Sequence, residues 1–148
     1  MRLLILLATI IMLTSCHMFD DGNEDARQAA LRWAEAYFNY DLKGTLAQVT
    51  PESEKWVRFV ASNVNEQDVE LLNSLEEATT VEVEDYYAGG DTLGTAYVRV
   101  KGYLVPDSIG KGGRMEDDGL YIVQLVKRNG QWKVRMEGLP QSEKQSRD

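Results

Sequence analysis

Acid–base, nucleophilic and metal chemistry each need particular side chains, and this sequence supplies few of them. Its one cysteine and one histidine are neighbours, Cys16 and His17. Any domain built from later residues therefore has no thiol nucleophile, no thiolate metal site and no His–Asp dyad. A single cysteine also forbids an intramolecular disulfide. Two polar residues instead stand out against apolar neighbours. Asp85 shares a two-residue alternation with Val81, Val83 and Tyr87. A carboxyl held in a cavity there would have a raised pKa and could act as a general base; a strand ending or bulging at that point leaves it in water. Gln124 lies among Leu120, Ile122 and Val126, where it reads as a core hydrogen bond or a ligand contact.

Aromatic residues are the second group. Trp33, Tyr37, Tyr40 and Trp56 recur at helical spacing, as plain core does, or as the wall of a pocket for a flat ligand. Arg99 with Tyr97 and Tyr103 could hold an anion or a partner on one sheet face; a solvated face or a sheet-to-sheet dimer contact explains the same pattern. Glu116-Asp117-Asp118 offers oxygens for Ca²⁺ without the spaced ligands of a calcium loop, and reads as solvated charge. Gly110, Gly112 and Gly113 lack the strand–helix context of a nucleotide-binding loop. No cofactor and no metal is expected.

These residues need elements to position them. Asn23 can cap a helix over 24–40, in which Ala26, Ala30, Trp33, Tyr37 and Tyr40 make one apolar face. Residues 41–49 suit a shorter helix. Thr50-Pro51 is a helix start, followed by a stripe of Trp56, Val57, Val60, Ala61 and Val64. Asn65 can cap a last helix running to about residue 77, with Val69, Leu72 and Leu75 facing inward. From Thr79 the period changes to two. Gly89-Gly90-Asp91 is a turn. Ala96, Val98, Val100 and Leu104 predict the inner face of a long strand, with Tyr97, Arg99, Lys101 and Tyr103 facing outward. Residues 106–118 read as a polar loop, and 120–126 as a strand covered on both faces. Asn129-Gly130 predicts a tight type I′ hairpin into Trp132, Val134 and Met136. Residues 139–148 read as a polar tail, frayed from Gln141 on. Helices followed by an antiparallel meander define an α+β domain over 23–138, with N-terminal helices packed on a curved sheet.

The first residues form a different kind of segment. Arg2 precedes an apolar run, Leu3 to Leu13. The run is too short for a bilayer span of about 20 residues and suits the apolar part of an export signal over 1–15. Leu13-Thr14-Ser15-Cys16 resembles the lipobox of bacterial lipoproteins. That resemblance implies a diacylglyceryl thioether on Cys16, cleavage before it, and a brief tether over 16–22. Two acyl chains suffice for stable anchoring. With His17 rather than Asp after the anchor, the resemblance points to the outer membrane of a cell envelope, periplasmic or surface-facing. Asp20 and Asp21 loosely resemble an acidic surface-export signal. The net charge of −8 opposes nucleic-acid binding, which depends on clustered Lys and Arg.

The helix-then-meander order and the closing "RNGQWKV" at 128–134 resemble the nuclear transport factor 2-like superfamily, a cystatin-like α+β cone with a pocket between helix and sheet. Short bacterial lipoproteins carrying this domain are similar. Members of the superfamily include isomerases, cyclases and dehydratases, and many that only bind or dimerise, so the fold leaves function open. Without a catalytic dyad, the expectation is a non-enzymatic, membrane-tethered domain that binds a small apolar ligand or an envelope protein, with Trp33, Tyr37, Tyr40, Trp56, Asp85 and Gln124 as candidate ligand contacts. The alternatives are a lyase or isomerase using Asp85 with tyrosine hydroxyls, and a structural module that forms a homodimer through its sheet.

Overall fold

A computed structural model describes residues 21–106 and 112–144. The expected signal, Cys16, His17, Asp20 and the last four residues of the tail lie outside the described residues. Helix α1 (Asp21–Phe38) is followed by α2 (Leu42–Leu46), a 3₁₀ turn (Pro51–Ser53), α3 (Glu54–Asn63) and α4 (Glu66–Asn73). Strands β1 (Thr80–Ala88), β2 (Leu93–Val105), β3 (Arg114–Arg128) and β4 (Gln131–Arg135) then form one antiparallel sheet in sequence order. The fold is α+β, with α1 lying across all four strands.

The apolar stripe of α1 buries Ala26, Ala29, Ala30, Trp33, Ala34 and Phe38 against Ala96, Val98, Val100, Val123, Leu125 and Val134 of the sheet. Small alanines let the helix approach the strands, and Trp33 and Phe38 supply the bulk of its buried face. The chain between α2 and α3 closes the free edge of β4. Val49 bridges Val134, whose N–H donates to the Gln48 carbonyl at 2.8 Å.

Several local expectations change in the folded chain. Asn23 lies within α1 rather than capping it. Thr50 does precede a helical start at Pro51, but its hydroxyl pairs with Ser53 Oγ at 2.6 Å instead of capping a backbone N–H. Ser53 Oγ accepts from Met136 N–H at 2.8 Å, which ties this turn to the exit of β4. Asn65 caps α4 in a full capping box with Asp68. That helix ends at Asn73, and the capping box turns Asp68 inward while Val69 faces solvent.

The sheet departs from strict alternation twice. A register shift between Val83 and Asp85 inserts a bulge in β1. One extra residue exchanges the faces of everything beyond it, so Tyr86 turns toward the core and Tyr87 outward. In β2, Gly102 takes a positive φ of 61°, open to glycine at little cost. The alternation resets there, and Tyr103 and Leu104 are both buried. Strand β3 starts at Arg114, so Glu116, Asp117 and Asp118 belong to a strand and not to a loop. Its apolar run is covered on one face only, with Ile122 and Gln124 exposed on the other. Asn129 and Gly130 have φ of 52° and 76°, as a type I′ turn requires. The tail is tied down as far as Ser142, which bridges Tyr121, and Glu143 N–H donates to the Leu120 carbonyl at 2.8 Å. Residues 139–142 therefore continue the domain.

Candidate functional site

The cavity between helices and sheet opens beyond the C-terminal end of α1. Helix α1 ends in a Schellman arrangement: Tyr40 N–H donates to the Tyr37 carbonyl and Asp41 N–H to the Ala36 carbonyl, at 3.1 and 2.9 Å. Tyr40 occupies the left-handed position, φ 60°, where glycine is the usual residue. A tyrosine there costs about 1 kcal/mol or more in backbone strain. Its hydroxyl is held by the Leu104 carbonyl at 3.0 Å, which fixes the end of α1 against β2.

That junction forms one wall of a cavity of about 480 Å³, within the range that takes drug-sized molecules. Tyr37, Phe38 and Tyr40 come from the end of α1, and Phe59, Val60 and Asn63 from α3. The end of β2 adds Tyr103, Leu104 and Val105, the middle of β3 adds Tyr121, Pro106 lies just beyond β2, and the segment after β4 adds Leu139, Pro140 and Gln141. Phe38 meets Tyr121 with centroids 4.8 Å apart and stands edge-on to Tyr103 at 5.6 Å. Such pairs fix ring orientation beyond simple burial.

Polar groups in the cavity are neutral. Tyr121 donates to the Tyr103 hydroxyl at 3.1 Å. Asn63 Nδ2 donates to the Phe59 carbonyl at 2.8 Å. The Tyr37 hydroxyl has no hydrogen bond among the described residues. Burial pushes the phenols of Tyr37, Tyr40 and Tyr121 far above the ordinary tyrosine range, because a phenolate loses its hydration there. Asp68 and Tyr37 reinforce the effect on Tyr40; on Tyr121 the bond it donates to Tyr103 adds to burial. These hydroxyls keep their protons near neutrality, and those of Tyr40 and Tyr121 donate within the protein. No carboxylate, histidine or cysteine lines the cavity among the described residues. No group of three or more metal-ligating side chains occurs among them either.

The sequence candidates separate into three places. Tyr37 and Tyr40 line the cavity. Trp33 lies in the core at 1% exposure, stacked on Tyr37 with centroids 5.0 Å apart, and Trp56 packs against the same core; neither reaches the cavity. Asp85 and Gln124 are exposed on the opposite face of the sheet. The β1 bulge places Asp85 there, so it cannot serve as a buried general base, and Gln124 pairs with Thr95 Oγ1 at 3.1 Å. Arg99 and Tyr97 share that outer face. Arg99 is held by Glu84 at 2.8 Å and Asp118 at 3.1 Å, while Tyr103 faces the cavity instead. Sequence reasoning placed Tyr103 on the outer face and missed Tyr121, Asn63 and the 139–141 segment. The apolar pair Leu139-Pro140 inside a polar tail was the one available signal.

No protein-family model matches the chain, and no curated protein matches it in sequence. Among solved structures the chain is similar to an Ntf2-like protein involved in plasmid conjugation, at 15% identity and a TM-score of 0.38. That likeness covers 82% of this chain and 48% of the other, so this chain spans about half the length of that protein.

Proposed function

We propose that this protein is a lipid-anchored envelope protein whose domain binds a small apolar ligand without transforming it. The observation that carries the binding reading is the cavity of about 480 Å³, walled by aromatic and aliphatic side chains with a few neutral hydrogen-bonding groups. That is the ordinary composition of a small-molecule pocket. The raised phenols favour holding a ligand over moving its protons. Exposure of Asp85 removes the base on which a lyase or isomerase reading depended.

Anchoring rests on the lipobox-like Leu13-Thr14-Ser15-Cys16. No helix among the described residues is long and apolar enough to cross a membrane. Mass spectrometry of native material should show Cys16 as a diacylglyceryl-modified N-terminus; an unmodified Cys16 behind an intact leader overturns the anchor. For the cavity, a broad set of small metabolites should contain compounds that raise the thermal midpoint of the purified chain. If no compound shifts it, the ligand-binding reading falls.

A second reading, self-association through the sheet, is favoured by one observation. Tyr87, Leu93 and Ile122 stand 60%, 50% and 53% exposed on its outer face. Sedimentation at rising concentration should then reveal a dimer, and a monomer throughout excludes it.

A further inference from the structure

We infer that the cavity selects an uncharged molecule bearing a carbonyl or ether oxygen, and that Tyr37 is the residue that reads this oxygen. The inference rests on the ligand-binding reading above and specifies its chemistry. Tyr40, Tyr103 and Tyr121 all engage hydrogen-bond partners inside the protein. Tyr37 alone of the cavity tyrosines has none among the described residues, although it lines the cavity and stacks on Trp33. Its hydroxyl is free to donate into the cavity, and a ligand oxygen supplies the acceptor it lacks.

Electrostatics excludes an anionic ligand. The described lining contains no lysine, arginine or histidine to neutralise a carboxylate or sulfonate. The nearby charges felt by Tyr40, Tyr103 and Tyr121 come chiefly from Asp68, Glu116 and Asp118, with Arg114 a smaller opposing influence on Tyr103. An anion would lose its hydration and face like charge. A cation would find aromatic faces but has no acceptor atom for Tyr37, and no carboxylate lines the cavity to pair with it.

Three fluorescent probes separate these features. N-phenylnaphthylamine is neutral, anilinonaphthalenesulfonate adds a sulfonate to the same skeleton, and propionyl-dimethylaminonaphthalene is neutral with a carbonyl. Binding is read by energy transfer from the protein's tryptophans, of which Trp33 stacks on Tyr37, using the full chain in phosphatidylcholine nanodiscs with empty nanodiscs as the blank. The sulfonate should bind more than about tenfold more weakly than its neutral analogue. Tyr37→Phe should weaken the carbonyl probe about three- to tenfold and leave N-phenylnaphthylamine unchanged. In the wild-type protein the carbonyl probe should emit at the longer wavelength of a hydrogen-bonded ketone, which tests the contact even if the variant folds poorly. Equal affinity for sulfonate and neutral probes overturns the charge selection. An equal effect of Tyr37→Phe on both neutral probes, or the short-wavelength emission of an aprotic site, overturns the role of Tyr37. Displacement of the carbonyl probe by tetrabutylammonium as readily as by a neutral ketone overturns it as well. Energy transfer to none of the three defeats the ligand-binding reading itself.

Discussion

Asp68 shows how one buried acid can join two segments far apart in the chain. It is 1% exposed, and its two carboxylate oxygens accept from Asn65 N–H at 3.1 Å and Gly113 N–H at 2.7 Å. One carboxylate thus starts α4 and holds the residue just before β3 beside it. Asp68→Ala should lower the unfolding free energy in urea by about 2–4 kcal/mol, because two N–H groups lose a charged acceptor. Asp85→Ala should change it by less than about 0.5 kcal/mol, as an exposed surface substitution does. An opposite ranking would contradict the burial of Asp68 and the exposure of Asp85. Glu52 gives a third case. A bidentate pairing with Arg128, with one bond of 2.8 Å, holds its carboxyl at about 2, below the ordinary 4.5. A depressed carboxylate pKa stabilises the folded state above the unfolded value, and the contribution disappears as the pH falls through the folded one. Between about pH 4.5 and 2, the wild-type protein should therefore lose more stability than Glu52→Gln. The difference should shrink in high salt because the pair is exposed.

Among the elements, strand β2 carries the decision that creates the cavity wall. Without the left-handed backbone at Gly102, Tyr103 would follow Arg99 and Lys101 onto the outer face, and the Tyr103–Tyr121 hydroxyl pair could not form. Gly102→Ala should cost about 1–2 kcal/mol from left-handed strain alone. It should also weaken binding of the neutral probes, measured in parallel with urea unfolding. Retained binding at the wild-type affinity would show that the bend does not shape the cavity. The bulge in β1 works the opposite way, since it carries Asp85 out to solvent and brings Tyr86 in.

At the scale of the molecule, the two ends of α1 have different roles. The helix has 18 residues, about 27 Å at 1.5 Å per residue. Its N-terminal end follows the proposed anchor, and its C-terminal end forms the cavity. An anchored domain should therefore hold the cavity away from its own bilayer and receive ligand from the aqueous side or from a partner. Energy transfer from a headgroup dye should be strong to a label at Gln28→Cys and weak to one at Glu137→Cys, next to the segment that lines the cavity. Equal transfer to both would mean that the domain lies flat.

What the sequence determined alone was local. A two-residue hairpin is specified by Asn129-Gly130, because those residue types meet the left-handed φ that the turn demands. A capped helix start is specified by Asn65, and the α1 and β2 cores by apolar period. The helix-then-meander order followed from the change of period near Thr79. Tertiary structure decided which polar residues meet a cavity. Asp85 looked inward because a strict alternation was assumed, and one bulge reverses a strand face with no clear mark in composition; Gln124 looked inward because the nearly continuous apolar run around it hides which of its two faces is covered. The cavity itself joins residues from α1, α3, β2, β3 and the 139–141 segment. Their proximity comes from packing across the sheet, which no spacing along the chain records.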